Sequence, residues 1–375
     1  MIYLNCGSTE ETKDWKGNAF GKMRNLKTLI IDSDNSFDGS IQFPSNLKVL
    51  QWKNYHSKSL PSTIVSKKFK NMKVLKFDNC EYLIEITDVS CLPNLENLSF
   101  QKCENLTTIG SSVGSLNKLK ILDAYGCIKL ESFPPLKLAS LEQLVLSCCK
   151  ILQSFPEILC KIENLRHLDI SETSIKEFPP SFQNLTGVEQ ISRDEMFSLP
   201  SFISEMPKLK TITLFHGLDK LSMPKSRSTM LSNLEFLGLC YCNLSYECLQ
   251  TLFLWFSNVK YLYLHRGNSK ILPECLKECL RLEERELNHC KNLEERRGIP
   301  PNLGIFAAPY YKVNRPLSFS RKSTMKFEKM KVLKFDYCEY STEIPDVSCL
   351  PNLEILPFQN CMNVIKFVVY PILIF

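Results

Sequence analysis

Cysteine and histidine have the widest chemical reach of the residues in this chain, which holds 17 of the one and 5 of the other. In the right spacing, thiolates and imidazoles bind zinc, close disulfides, or act as nucleophile and base. No two cysteines form a Cys-x-x-Cys pair, and the Cys275/Cys279 spacing stands alone, so no zinc ligand set emerges. Eight thiols share a different property. Cys80, Cys103, Cys127, Cys149, Cys242, Cys290, Cys338 and Cys361 each stand three residues after the last member of a recurring aliphatic triplet. A buried free cysteine packs as a small hydrophobe with a weak donor, so this register predicts a structural thiol ladder in a reducing compartment. The histidines (His56, His167, His216, His265 and His289) are scattered over distant stretches. His167 and Asp169 share one face of a strand, but no nucleophile or oxyanion loop accompanies them, so an ordinary polar arrangement is expected. The expected catalytic, cofactor and metal residues are therefore none, and an enzyme is the least favoured reading. Asn-x-Ser/Thr sites at Asn97, Asn105, Asn184 and Asn243 would matter only in a secreted chain and are read as chance.

The thiols are positioned by a repeated phrase: an aliphatic residue, two variable residues, a second aliphatic, one variable residue, a third aliphatic. It starts at Leu26, Leu47, Met72, Leu95, Leu119, Leu141, Leu165, Leu185, Leu209, Leu234, Val259, Leu282, Met330 and Leu353, mostly in steps of 20 to 25 residues. That phrase and period define a leucine-rich repeat. The expected fold class is an α/β leucine-rich-repeat solenoid (horseshoe) with a parallel concave β-sheet and an irregular or short-helical convex side. One unit cannot bury its apolar edge alone, so neighbours must stack. Because side chains alternate along a strand, the second and third aliphatics point inward and the third, fifth and seventh positions point outward. Phe133-Pro-Pro135, Phe155-Pro156, Phe178-Pro-Pro180, Leu199-Pro200 and Leu272-Pro273 read as turns, since proline neither donates to a ladder nor continues a helix. Glu157–Lys161 and Glu247–Leu254 read as short helices.

An apolar fraction of 44% and a charged fraction of 23% place the chain among folded proteins. Its +6 net charge is spread over 46 cations and 40 anions without a long block of one sign, so no nucleic-acid partner is expected. The first ten residues lack the pattern of a secretory signal. The apolar end, residues 364–375, contains Lys366 and Pro371 and is shorter than the roughly 20 residues a membrane helix needs. No membrane span and a cytoplasmic location, with the nucleus as an alternative, are the expectations.

The organisation reads as an N-terminal flank (1–24), an array of about 12 repeats (25–303), a linker or loop (304–326), a duplicated pair of repeats (327–364) and an apolar tail (365–375). Residues 327–364 repeat residues 69–106 with 27 of 38 positions identical. Three positions depart from the frame. The unit taken to start at Leu185 has Val188 and Gln190 at aliphatic positions and Arg193 at the Cys/Asn position. Arg285 points inward, which is expensive unless paired. Pro357 falls inside a strand and demotes it to an edge.

Several phrases resemble the repeat region of plant, legume-type TIR-NB-ARC-LRR disease-resistance proteins. They include Trp15-Lys-Gly-Asn-Ala-Phe-Gly-Lys-Met-Arg-Asn-Leu26, Cys80-Glu-Tyr-Leu83, Asp88-Val-Ser-Cys-Leu-Pro-Asn-Leu-Glu96, Ser154-Phe-Pro-Glu-Ile-Leu159 and Arg297-Gly-Ile-Pro-Pro-Asn-Leu303. The sequence shows no phosphate-cradling Gly-x-x-x-x-Gly-Lys-Ser/Thr loop. The TIR and NB-ARC domains are thus missing from it, and Met1–Lys22 resembles the NB-ARC to repeat link. The resemblance implies a sensor and autoinhibitory role in innate immunity and defence signalling. Its partners would be a pathogen effector or a guarded host protein, and the NB-ARC domain of a receptor in cis or trans. ADP or ATP would bind that other domain, so no cofactor is expected here.

The outward positions with the most aromatic character are Phe215, Phe236, Tyr261, Tyr263 and His265, the candidate protein-binding concave face. Covering by a loop, or cross-strand packing of the rings on one another, is the plainer explanation of the same residues. A truncated or non-functional receptor paralogue, and the substrate-recruiting repeats of an F-box ubiquitin-ligase subunit, are the alternative functions.

Overall fold

The computed structural model describes residues 1–5, 15–16, 18–32, 37–38, 41–194, 206–216, 233–290, 293, 299–310, 327–338, 347 and 349–361. The turn at Leu199-Pro200, most of the expected linker (311–326) and the apolar tail lie outside these residues. The chain divides into two compact units, Met1–Arg193 and Asp194–Phe375.

In the first unit the elements run β1 (Ile2–Asn5), β2 (Trp15–Lys16), β3 (Thr28–Asp32), β4 (Phe37–Asp38), β5 (Val49–Lys53) and α1 (Ser62–Ser66). They continue with β6 (Val74–Asp78), β7 (Glu85–Ile86), β8 (Asn97–Ser99), β9 (Thr108–Ile109), β10 (Ile121–Asp123), β11 (Gln143–Val145), β12 (His167–Ile170) and β13 (Gln190–Asp194). The main sheet is parallel in the order β1-β3-β5-β6-β8-β10-β11-β12-β13, so each repeat adds one rung beside the last. β2 pairs with β4 and β7 with β9 as small second ladders. The register stacks like on like: Leu50 faces Leu75, Leu75 faces Leu98, and Leu122 faces Leu144. All five of these leucines are fully buried. The phrase thus becomes a continuous apolar spine.

In the second unit, β14 (Thr211–Phe215), β15 (Phe236–Cys240), α2 (Tyr246–Trp255), β16 (Tyr261–His265), β17 (Glu284–Asn288), β18 (Ile305–Ala307) and β19 (Val332–Lys334) follow. The strands form the same kind of parallel stack in chain order. α2 starts at Ser245, whose hydroxyl accepts from the Cys248 amide and so satisfies one end of the helix.

The thiol register is explained by one repeated bond. Each thiol donates to the carbonyl of the third aliphatic position one repeat earlier. Cys103 reaches Phe77 O at 3.0 Å, Cys127 reaches Phe100 O at 3.1 Å, and Cys149 reaches Ala124 O at 3.2 Å. Cys80, Cys242, Cys290, Cys338 and Cys361 do the same with Trp52, Leu214, Leu264, Ala308 and Phe335. A row of asparagine amides just before the phrase makes equivalent links, as Asn94 to Lys70 O at 2.7 Å and Asn164 to Ala139 O at 3.1 Å. Burial pushes the Cys127, Cys149, Cys242 and Cys290 thiols up, to about 12 for Cys149 and Cys242, which keeps these four protonated and unreactive. On native protein, alkylation at mildly alkaline pH should label the half-exposed Cys91, Cys148, Cys160, Cys275, Cys349 and Cys361 ahead of the buried thiols. Peptide mass mapping checks that order, and early labelling of Cys103 or Cys127 would contradict it.

The structure corrects several expectations. Ile2–Asn5, within the expected flank, is the first rung and pairs with β3. Ile305–Ala307, within the expected linker, is a rung between β17 and β19. Its phrase, Leu303-x-x-Phe306-x-Ala308, uses Phe and Ala where aliphatics usually stand, and all three side chains are buried. The repeat assigned to Leu185 begins at Val188 instead. Leu168 pairs with Ile191 and Ile170 with Arg193, so Arg193 holds the third inward position and Gln190 points outward. Its guanidinium lies 4.9 Å from the Phe178 ring. Arg285 is likewise buried, with its guanidinium 5.3 Å from the Phe306 ring. Glu157–Lys161 is extended, not helical: Ile158 bridges Leu136, and the backbone bonds go to that neighbouring repeat. The first duplicated repeat continues the second unit's sheet as β19. The next forms a single bridge, Val332 to Ile355, in place of a strand, with backbone bonds such as Leu333 to Ile355 O at 2.9 Å and Tyr337 to Gln359 O at 2.8 Å, and Ile355 is half exposed ahead of Pro357.

Candidate functional site

On the second unit's sheet the outward rows are fixed by register. Phe236, Tyr261, Glu284 and Ile305 form one row across β15–β18. Thr213, Gly238, Tyr263, Glu286 and Ala307 form the next, and Phe215, Cys240, His265 and Asn288 the third. Tyr261 is the most open of the candidate aromatics at 37% exposure, while Phe215, Phe236, Tyr263 and His265 are half-buried.

The five are not one cluster. Tyr263 and His265 stack on each other at 6.3 Å, and Tyr263's hydroxyl accepts from the Asn288 amide at 3.2 Å. Phe236 pairs with Tyr261, but Phe215 lies two rungs from His265 with Cys240 between them. Gly238 leaves room for the Phe236 ring beside it. A Cβ there would meet the Phe236 ring at 3.1 Å and the Thr213 side chain at 3.2 Å. Burial, then Arg266, pushes the His265 imidazole below its ordinary value. Burial and the neighbouring Glu284 push the Glu286 carboxyl up, against Lys334.

Beside this face, Tyr261, Leu280 and Ile305 line an open groove of about 880 Å³, with Lys260, Arg281, Glu283, Glu284 and Lys331 among its charged walls. Leu280 is 61% exposed. An exposed leucine and tyrosine ringed by both signs of charge suit a polypeptide surface, with an apolar centre and a polar rim. His167 and Asp169, by contrast, do not work together. His167 Nδ1 lies 2.7 Å from Gln190 Oε1, and Asp169 accepts from the Ser171 hydroxyl and amide.

The histidines are less scattered than their sequence positions suggest. His216, His265 and His289 sit on nearby rungs of the second unit, where His265 contacts His289 edge to face at 5.6 Å and Tyr241 at 5.3 Å. His216 stacks on the other side of Tyr241 at 5.2 Å. The sequence signal was available: His216, Tyr241, Arg266, His289, Tyr310 and Tyr337 each follow the third inward residue by two places. All six have φ between 52° and 59°, a left-handed backbone that costs a side-chain-bearing residue roughly 1–2 kcal/mol.

Two repeat families match the sequence. "Disease resistance protein RPS4B-like, leucine-rich repeats" matches residues 137–302, and "R13L1/DRL21 LRRs" matches residues 30–103. TMV resistance protein N of Nicotiana glutinosa is 22% identical over 88% of this chain and 35% of its own length. Disease resistance protein RPP4 of Arabidopsis thaliana is 37% identical over 36% of this chain and 14% of its own. The chain thus spans about a third or less of the length of these relatives. Among solved structures, the Drosophila Toll–Spatzle complex aligns with a TM-score of 0.53 at 12% identity, covering 92% of this chain and 50% of that one. That likeness is one of fold alone.

Proposed function

From a chain that is a leucine-rich-repeat region of the plant disease-resistance kind, we propose that it serves as the protein-recognition part of an intracellular immune receptor. Stacked repeats of this type typically serve as interaction scaffolds, and no described helix is long and apolar enough to cross a membrane. In this reading the second unit's outward face contacts a pathogen effector or a guarded host protein. The same repeats restrain a nucleotide-binding module, in cis or in trans, and ADP or ATP belongs to that module. The observation that supports the reading best is the cross-strand pair Phe236/Tyr261 and the stacked pair Tyr263/His265 beside a charged-rimmed open groove. Clustered, partly exposed aromatics of this kind commonly dominate interface energy.

The test is co-expression of the chain in leaf cells with a nucleotide-binding module of the receptor type its repeats resemble. Tyr261→Ala with Tyr263→Ala should cut co-purification by about tenfold or more. It should also release cell death that the unaltered chain suppresses, while thermal unfolding stays within a few degrees. Unchanged co-purification by the double variant would remove this face from the account.

A further inference from the structure

In every repeat where that position is described, the residue two places beyond the third inward position turns the chain out of the strand with a positive φ. In the first unit the occupants are Asn54, Asn79, Lys102, Gly126, Cys148 and Glu172, mostly small or flexible. Asparagine and glycine take that backbone most easily. In the second unit six consecutive rungs instead carry His216, Tyr241, Arg266, His289, Tyr310 and Tyr337. Six bulky choices in a row, at a position where Asn serves equally well in Asn360, call for a compensating role.

These side chains form a column. His216 stacks on Tyr241, and the Arg266 guanidinium lies 5.3 Å from the Tyr241 ring and donates to its hydroxyl at 3.3 Å. His289 stacks on Tyr310 at 3.8 Å, and Tyr310 on Tyr337 at 4.7 Å with the planes 6° apart. The backbone holds the column in place. The amide of each member donates to a carbonyl of the next rung, as Tyr241 to His265 and Arg266 to Asn288. Tyr241 and Tyr337 remain 41% and 44% exposed. With ring faces turned toward one another, the column presents its edges: phenol hydroxyls, imidazole nitrogens and one fixed guanidinium. Aromatic edges carry the positive side of the ring quadrupole.

We infer that this column, which adjoins the outward sheet face at His265, is a docking strip for an acidic polypeptide segment. Carboxylates along such a segment accept from the phenols, the imidazoles and Arg266, and charge complementarity selects them over basic chains. A single-stranded nucleic acid is the poorer fit, because base stacking needs open ring faces and the column closes them on itself.

The test uses fluorescence anisotropy of the full chain with labelled poly-glutamate, poly-lysine and poly-uridine of equal length. The chain should bind poly-glutamate, and Tyr241→Asn/Arg266→Asn/Tyr310→Asn should weaken that binding by about tenfold. Asn suits the positive φ, so the triple variant should melt no lower than the unaltered chain. Arg266→Gln alone provides a second reading, with a smaller loss in the same direction. Tyr261→Ala/Tyr263→Ala should leave poly-glutamate binding intact, which separates this strip from the sheet face. Equal binding by the triple variant and the unaltered chain, no binding of poly-glutamate, or stronger binding of poly-uridine would each overturn the proposal.

Discussion

Gly114→Ala should destabilise the first unit by about 3 kcal/mol or more, among the largest effects available to a single methyl group. A Cβ at Gly114 would lie 2.0 Å from the Pro135 carbonyl oxygen and 3.1 Å from its carbonyl carbon. Both are backbone atoms and cannot rotate away. The same two segments are tied by the Lys137 amide, which donates to the Gly114 carbonyl at 2.7 Å, so relief of the clash would also break that bond. Gly187 is in a like position, with a Cβ 2.2 Å from the Glu163 carbonyl oxygen. Gly267→Ala is the control, since its added carbon would meet nothing closer than the Cys290 sulfur at 3.7 Å. Urea unfolding of the three variants measures the difference. A Gly114→Ala chain as stable as the Gly267→Ala chain would contradict the packing described for these repeats.

The second large effect is alkaline. Burial raises Cys149, Cys242 and Cys279 to about 12 and Cys240 to about 11, and it also raises Cys127. A thiol in an unfolded chain ionises near 8.5, as an order-of-magnitude reference. The folded state therefore holds these protons more tightly than the unfolded chain. The resulting stability is fully present below the unfolded value and declines as pH rises toward the folded one. Each such thiol should remove about 1.4 kcal/mol per pH unit between those limits. Cys242 and Cys279 together then cost the second unit about 3 kcal/mol per unit of pH between about 9 and 12, enough to unfold it within that window. Stability measured against pH under reducing conditions checks the slope. Cys242→Val with Cys279→Val should flatten it by about two protons, whereas an unchanged slope would place the alkaline loss on lysines and tyrosines instead.

The repeat frame was readable because inward positions demand apolar residues and strands repeat them at fixed spacing. Leu75, Leu98 and Leu122 could hardly be anything but core. The frame failed where that demand is met by other means. Arg193 and Arg285 keep their inward places with the guanidinium against a phenylalanine ring, so a search for aliphatics misplaced one repeat by three residues. Phe306 and Ala308 fill the same space as two leucines in a phrase that does not look like one. The candidate aromatics were found because outward positions follow from strand alternation, yet their grouping was not. Whether Phe215 touches His265 depends on Cys240, the residue one rung away that register places between them. The His/Tyr/Arg column has a fixed spacing in the sequence, two places after the third inward residue, but nothing apolar draws the eye to it. Its positions are defined by a positive φ, and no burial requirement marks them in the sequence.

Hydroxyl-radical footprinting of the chain with a bound nucleotide-binding module reads the second unit's outward face directly, since tyrosine, phenylalanine and histidine are among the side chains it oxidises. Phe236, Tyr261, Tyr263 and His265 should be protected, with Tyr3 and Tyr82 of the first unit, both more than half exposed, as reactive as in the free chain. Protection confined to the first unit, with the second unit's outward face still reactive, would contradict docking at that face.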